Sequence, residues 1–199
     1  MRGAPVSGGR RRRLFFALWP GEREREALGA WQRALAPGLE GGARAVPPER
    51  LHLTLLFLGG VEEPARACLE EAAGRLALPG PFTLRLDRLG HWAGPRVLWA
   101  GGEAPAPLLE LVGGLRRAAQ GCALAVEERP FALHLTLFRK VRRPPPLPPP
   151  PRPLRWTVGG FVLAASRTLP DGARYELLRR WPLPSGDRAP ARADKPSGL

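Results

Sequence analysis

Two stretches of the chain alternate in nearly the same way. Leu51-His52-Leu53-Thr54-Leu55 and Leu133-His134-Leu135-Thr136-Leu137 each interleave leucine with polar residues. A period of two marks a half-buried β-strand, because successive side chains point to opposite faces. The leucines predict a side turned to a core. The other side carries a His and a Thr roughly 6–7 Å apart along the strand. Elsewhere the pattern predicts a fully apolar first strand over 14–18 and a charged amphipathic helix over 21–35. A second helix over 62–76 has Pro64 in its first turn, where a missing N–H costs nothing. Strands follow over 82–87 and 96–100, a third helix over 107–119, and the second His strand over 131–138. Two closing strands, 156–165 and 174–181, form a hairpin turned at Asp171-Gly172.

Hairpins mixed with helices in this order predict an α+β fold with largely antiparallel sheets. One His strand falls in each half of the chain, which predicts two related lobes around a groove. Residues 1–13 have little to bury and predict a disordered basic arm, residues 14–183 a single domain, and residues 184–199 a disordered tail. The proline run near 144–153 excludes helix and central strand and predicts a polyproline-II loop.

Composition adds a charge. The 199 residues carry a formal net charge of +13, mostly from Arg, including the run Arg10-Arg11-Arg12-Arg13. A basic surface attracts polyanions, and Arg grips phosphate bidentately, although an Ala/Gly/Pro/Arg-rich composition also produces such an excess. Two cysteines, Cys68 and Cys122, lie far apart with no Cys-x-x-Cys spacing. They are expected to be free thiols, as suits a reducing cytoplasm. No segment approaches the length of a membrane span.

The chemistry concentrates in the two repeats. There are three histidines, and two of them carry Thr two positions on within the same leucine frame. The third, His91, sits in the turn-like stretch Gly90-His91-Trp92-Ala93-Gly94-Pro95 and is expected to be a surface or loop residue. Two imidazoles on facing strands can supply an acid and a base near neutral pH. A catalytic zinc would take a third protein ligand, and no carboxylate or Cys stands at ligand-like spacing beside either motif, so no metal and no cofactor are expected. Arg139 is either a phosphate contact or a solvated surface Arg. Tyr175 is a candidate to stack a base or line the groove, and Phe15 to do so or, as its apolar strand favours, to fill the core.

At these residues the chain resembles the 2H phosphoesterases, whose name refers to two His-x-Thr-x motifs. Within them it is most similar to the LigT-like RNA 2′,3′-cyclic phosphodiesterases. The resemblance rests on 14–18, on Pro47-Pro48-Glu49-Arg50 before His52 to Leu55 with Phe57-Leu58-Gly59, and on 96–101. It continues through Arg129-Pro130-Phe131 before His134 to Leu137 with Arg139, and through Ser166-Arg167 and Tyr175-Glu176. The chain differs from the family pattern at Ala45, at the proline run and at Phe138. The resemblance implies a bilobal fold of two mostly antiparallel sheets with pseudo-two-fold symmetry flanking a central groove, helices outside. It implies metal-independent hydrolysis of RNA 2′,3′-cyclic phosphate to a 2′-phosphomonoester. A cytoplasmic monomer that binds no membrane is expected. His52 would then be the proton donor and His134 the proton acceptor, with Thr54 and Thr136 donating hydrogen bonds to phosphate oxygens. Related 2H reactions stay open: 2′–5′ RNA ligation, nucleotide cyclic phosphodiesterase action, an exonuclease, or non-catalytic binding of RNA or nucleotide.

Overall fold

The structure, a computed structural model, describes residues 11–147, 150, 152–169 and 172–184. In chain order its main elements are β1 (Arg12–Leu18), α1 (Glu22–Leu35), β2 (Arg44–Ala45), β3 (Leu53–Val61), α2 (Glu63–Gly74), β4 (Phe82–Leu86), β5 (Arg88–Trp92) and β6 (Val97–Gly101). There follow α3 (Ala106–Gly121), β7 (His134–Arg139), β8 (Leu154–Val158), β9 (Gly160–Leu169) and β10 (Gly172–Pro182). One four-stranded sheet runs β10-β9-β1-β3, another runs β2-β7-β6-β5, and β4 pairs with β8. Every pairing is antiparallel, which gives the expected α+β class.

β1 shows how the pattern sets the architecture. All five residues from Leu14 to Leu18 are buried, so the strand needs cover on both faces. Leu14, Phe16 and Leu18 enter the main core. Phe15 and Ala17 point the other way and join Val162 and Ala164 of β9, with Trp19 and Tyr175 against them. That second face becomes one wall of the cleft.

The sheets approach each other along the two motif strands, where β3 and β7 come within 8 Å at Cα. A glutamine fixes this junction. Gln32 of α1 is buried, and its Nε2 donates to the carbonyls of Val46 and Leu137, each at 2.8 Å. One side chain thereby ties α1, the β2 edge and the second motif together. Its two N–H groups are both satisfied, so its burial carries no desolvation penalty at that end.

Several expectations need correction. The arm predicted to reach residue 13 ends earlier: Arg12 and Arg13 belong to β1 and pair with Val61 and Gly60 of β3. Residues 1–10, the tail from 185, Asp171 of the expected turn and residues 148, 149 and 151 of the proline run lie outside the described residues. The strand predicted over 156–165 is two strands in different sheets, β8 and β9. The Gly159-Gly160 pair permits this switch, since a Cβ on Gly160 would fall 2.7 Å from the Trp181 carbonyl oxygen. His91 lies within β5 rather than in a loop, opposite Leu98, and its Nε2 donates to the Val141 carbonyl at 3.0 Å. Phe138 turns into the core.

The cysteines are not free. Cys68 of α2 and Cys122, which caps α3, form a disulfide with a Cα–Cα separation of 5.8 Å. Their separation of 54 residues hid the pairing, because only the packing of α2 on α3 brings them together. In the chain-entropy account a loop of this size stabilises by about 4 kcal/mol. Cys68 is exposed, so the bond is open to reductant. Dithiothreitol should lower the melting temperature by roughly 10 °C in a thermal scan. Cys68→Ser should match the reduced protein and no longer respond to dithiothreitol.

Candidate active site

The first motif begins one residue ahead of β3, and the second opens β7. Leu51, Leu53 and Leu55 are buried, as are Leu133, Leu135 and Leu137. The alternating residues His52, Thr54, His134 and Thr136 are half-buried and line one groove of about 1230 Å³ together with Arg139. The four motif residues therefore converge as the period-two pattern predicts.

The two imidazoles are held in the same way. Nδ1 of His52 lies 2.7 Å from the Arg50 carbonyl oxygen, and Nδ1 of His134 lies 2.9 Å from the Ala132 carbonyl oxygen. A carbonyl can only accept, so Nδ1 carries the proton in each ring. Nε2 is left as the nitrogen available to the cleft: an acceptor when the ring is neutral and a donor when it is charged. Both partners sit two residues upstream of their His, so the short chain segment entering each strand orients its own ring.

The surroundings of the two rings differ. His52 stands among three aromatic rings. Trp19 stacks on it at 5.1 Å and 12°, Tyr175 meets it edge-on at 4.8 Å, and Phe15 is tilted against it at 5.1 Å. His134 meets Trp92 edge-on at 4.6 Å, and Trp92 in turn leans on Trp99 at 5.4 Å. Burial is the largest influence on both titrations. It lowers His52 from the usual 6.5 to about 4, against the opposing effect of the Arg50 carbonyl, and Arg139 and His134 add electrostatic repulsion. His134 is also lowered, by burial first, against the Ala132 carbonyl, with Arg129 and Arg139 adding repulsion. Each imidazole is thus kept neutral by its own desolvation and by positive neighbours.

Arg139 lines both the main groove and an adjoining hollow that shares His52 with it. It is exposed, and no carboxylate pairs with it among the described residues. The hydroxyls of Thr54 and Thr136 make no hydrogen bond there either. Unpaired donors, a free guanidinium and two imidazoles around one cavity suit an anion with several oxygens. Glu127 is the one carboxylate among the groove-lining residues described, and it is bound to Arg129 at 2.9 Å. No group of three or more His, Cys, Asp and Glu able to hold a metal occurs among the described residues.

Phe15 is only 3% exposed yet contacts His52, so it serves core and site together. Tyr175 is half-buried at the same place. Trp19 and Trp92 were not singled out from the sequence. Trp19 follows an apolar run, and Trp92 stands in a stretch that looked like a turn. The recoverable signal for Trp19 was strand parity, since it continues the odd-numbered face of Phe15 and Ala17.

A sequence profile described as LigT like Phosphoesterase matches residues 18–99. The chain is 38% identical over 172 residues to the RNA 2′,3′-cyclic phosphodiesterase of Escherichia coli strain K12, spanning 86% of this chain and 96% of that one. It is 36% identical over 188 residues to the protein of the same name from Thermus thermophilus, spanning 86% and 90%. The crystal structure of E. coli LigT in apo form superposes with a TM-score of 0.79 at 34% identity, covering 88% of this chain and 99% of that chain. The structure of E. coli LigT complexed with 3′-AMP gives 0.79 at 36%, covering 87% and 98%. The chain belongs to the LigT-like phosphoesterase family.

Inorganic phosphate is a simple probe of the anion site. Calorimetry should show Arg139→Ala binding it roughly ten- to a hundredfold more weakly, the cost of one charge-assisted contact. Unchanged affinity would leave Arg139 a solvated surface residue.

Proposed function

We propose that the chain hydrolyses RNA 2′,3′-cyclic phosphate ends to 2′-phosphomonoesters by acid–base catalysis between His52 and His134, with no metal. The observation that carries this reading is the pair of Nδ1-anchored imidazoles lining one groove. Relatives named RNA 2′,3′-cyclic phosphodiesterase over nearly their whole length support the choice of substrate.

Opening a cyclic phosphate is an in-line displacement, so the water and the departing ribose oxygen lie on opposite sides of phosphorus. His134, neutral with Nε2 unprotonated, takes a proton from the water as its oxygen bonds to phosphorus. The phosphorus–O3′ bond breaks, and Nε2–H of protonated His52 delivers its proton to O3′. Two proton exchanges with solvent restore the starting state. Thr54, Thr136 and Arg139 donate to the non-bridging oxygens, where negative charge accumulates. A low pKa makes His52 a strong acid but a scarce one, because little of it is protonated in the free enzyme. The bound phosphate anion offsets this by answering the positive charge of Arg139. The protein acts as a monomer in this reading. An RNA-end substrate favours the cytoplasm, although the Cys68–Cys122 bond removes the free-thiol argument for that compartment.

RNA ending in a 2′,3′-cyclic phosphate should be converted to the 2′-phosphate, resolved from the 3′ isomer by chromatography, with EDTA making no difference. His52→Ala and His134→Ala should each lose about 10²- to 10⁴-fold in kcat while keeping the wild-type circular dichroism. A 3′-phosphate product, or zinc-restored activity after chelation, contradicts the reading.

The lowered imidazoles also fix the sign of the pH dependence. kcat/KM reports the free enzyme, in which both groups titrate below 6.5 and His52 near about 4. Its bell should therefore peak below pH 6.5. The kcat bell should lie at higher pH, since a bound anion favours the charged imidazoles.

A further inference from the structure

Arg11, Arg12 and Arg13 enter the fold side by side, and the third behaves differently. Arg11 pairs with Glu62 at 2.9 Å and Arg12 with Glu176 at 2.5 Å. Arg13 meets no carboxylate among the described residues. Its guanidinium instead lies over the Phe57 ring, 5.3 Å from the centroid. Phe57 is 46% exposed, whereas its cross-strand partner Phe15 is buried. An exposed phenylalanine beneath an arginine gains little from burial, but it does order the guanidinium through the cation–π contact.

The position of this pair matters. Strand parity puts Arg13 on the face of β1 that carries Phe15, the face turned to the cleft. Arg13, Phe57, Ser166 and Tyr175 line a hollow of about 370 Å³ that runs into the main groove at His52. This volume falls within the roughly 300–1,000 Å³ of small-ligand sites. Among the described residues lining it there is no carboxylate. In-line opening with His52 at O3′ places the ribose, and with it the RNA chain, on the His52 side of phosphorus. The hollow lies on that side.

We propose that this hollow seats the RNA on the 5′ side of the cyclic phosphate, with Arg13 binding the 5′-phosphodiester of the terminal nucleotide. Phe57 is a positioning residue that holds the guanidinium ready, so less side-chain freedom is lost on binding. The inference rests on the cyclic-phosphate reading above and adds a preference to it. A mononucleoside 2′,3′-cyclic phosphate has no 5′-phosphodiester, so Arg13 selects chain ends over free nucleotides.

The test compares a trinucleotide ending in 2′,3′-cyclic phosphate with the matching mononucleoside 2′,3′-cyclic phosphate. For Arg13→Ala, the ratio of kcat/KM for trinucleotide over mononucleoside should fall about tenfold, mainly through KM. Arg13→Lys should recover part of that loss, and Phe57→Ala should show the same selective fall to a smaller degree. On the trinucleotide, the slope of log kcat/KM against log salt should become shallower by about 0.7, the value for one phosphate contact on a single strand. If the wild-type protein hydrolyses both substrates and the ratio and salt slope survive Arg13→Ala, the proposal is overturned alone. If it hydrolyses neither, the cyclic-phosphate reading fails and takes this proposal with it.

Discussion

The cleft depends on two short hydrogen bonds that a histidine makes to its own chain. In each motif the imidazole Nδ1–H is held by the carbonyl two residues earlier, from Arg50 at 2.7 Å and from Ala132 at 2.9 Å. This removes the tautomeric freedom of the ring and leaves Nε2 as its working atom. Were either ring released, its nitrogens would be interchangeable and its direction set by packing alone. The leucine frame serves this anchoring. By burying its own side chains it fixes which way the polar residues of each strand must point.

The second constraint is electrostatic. The site collects donors and cations, and burial opposes charging of both imidazoles. Among the described residues Arg139 has no carboxylate partner, and the hydroxyls of Thr54 and Thr136 make no hydrogen bond. A phosphate anion resolves all these tensions at once, because it accepts from the donors and stabilises an imidazolium. The asymmetry of the aromatic walls then matters. Trp19, Tyr175 and Phe15 enclose His52, while His134 meets only Trp92 edge-on among the ring contacts described. Two rings of identical local anchoring therefore stand in different surroundings, and burial lowers the titration of both.

Much of this was legible in the sequence because it is written in local periods. The alternation of Leu with His and Thr specified strand and face together, and the apolar run of β1 announced a doubly covered strand. What escaped depends on contacts between distant segments. The Cys68–Cys122 bond needs the packing of α2 on α3. The stacking of Trp19 on His52 needs the β1–β3 pairing. Arg13 looked like part of a loose basic arm, since nothing local shows that it pairs opposite Gly60. His91 and Trp92 were hidden by flanking glycines that suggested a turn. Gly90 is in fact required within β5 by the indole of Trp99, which would lie 2.1 Å from a Cβ there.

Nitrogen-resolved NMR of the imidazoles, in the free protein and with 2′-phosphate nucleotide bound, tests the anchoring directly. In the free protein both rings should be neutral at pH 7 and protonated at Nδ1, with His52 titrating near about 4. Binding the nucleotide should raise the titration of both rings. A bare Nδ1 on either ring, or titrations that ignore the bound phosphate, would contradict the shared cleft proposed for them.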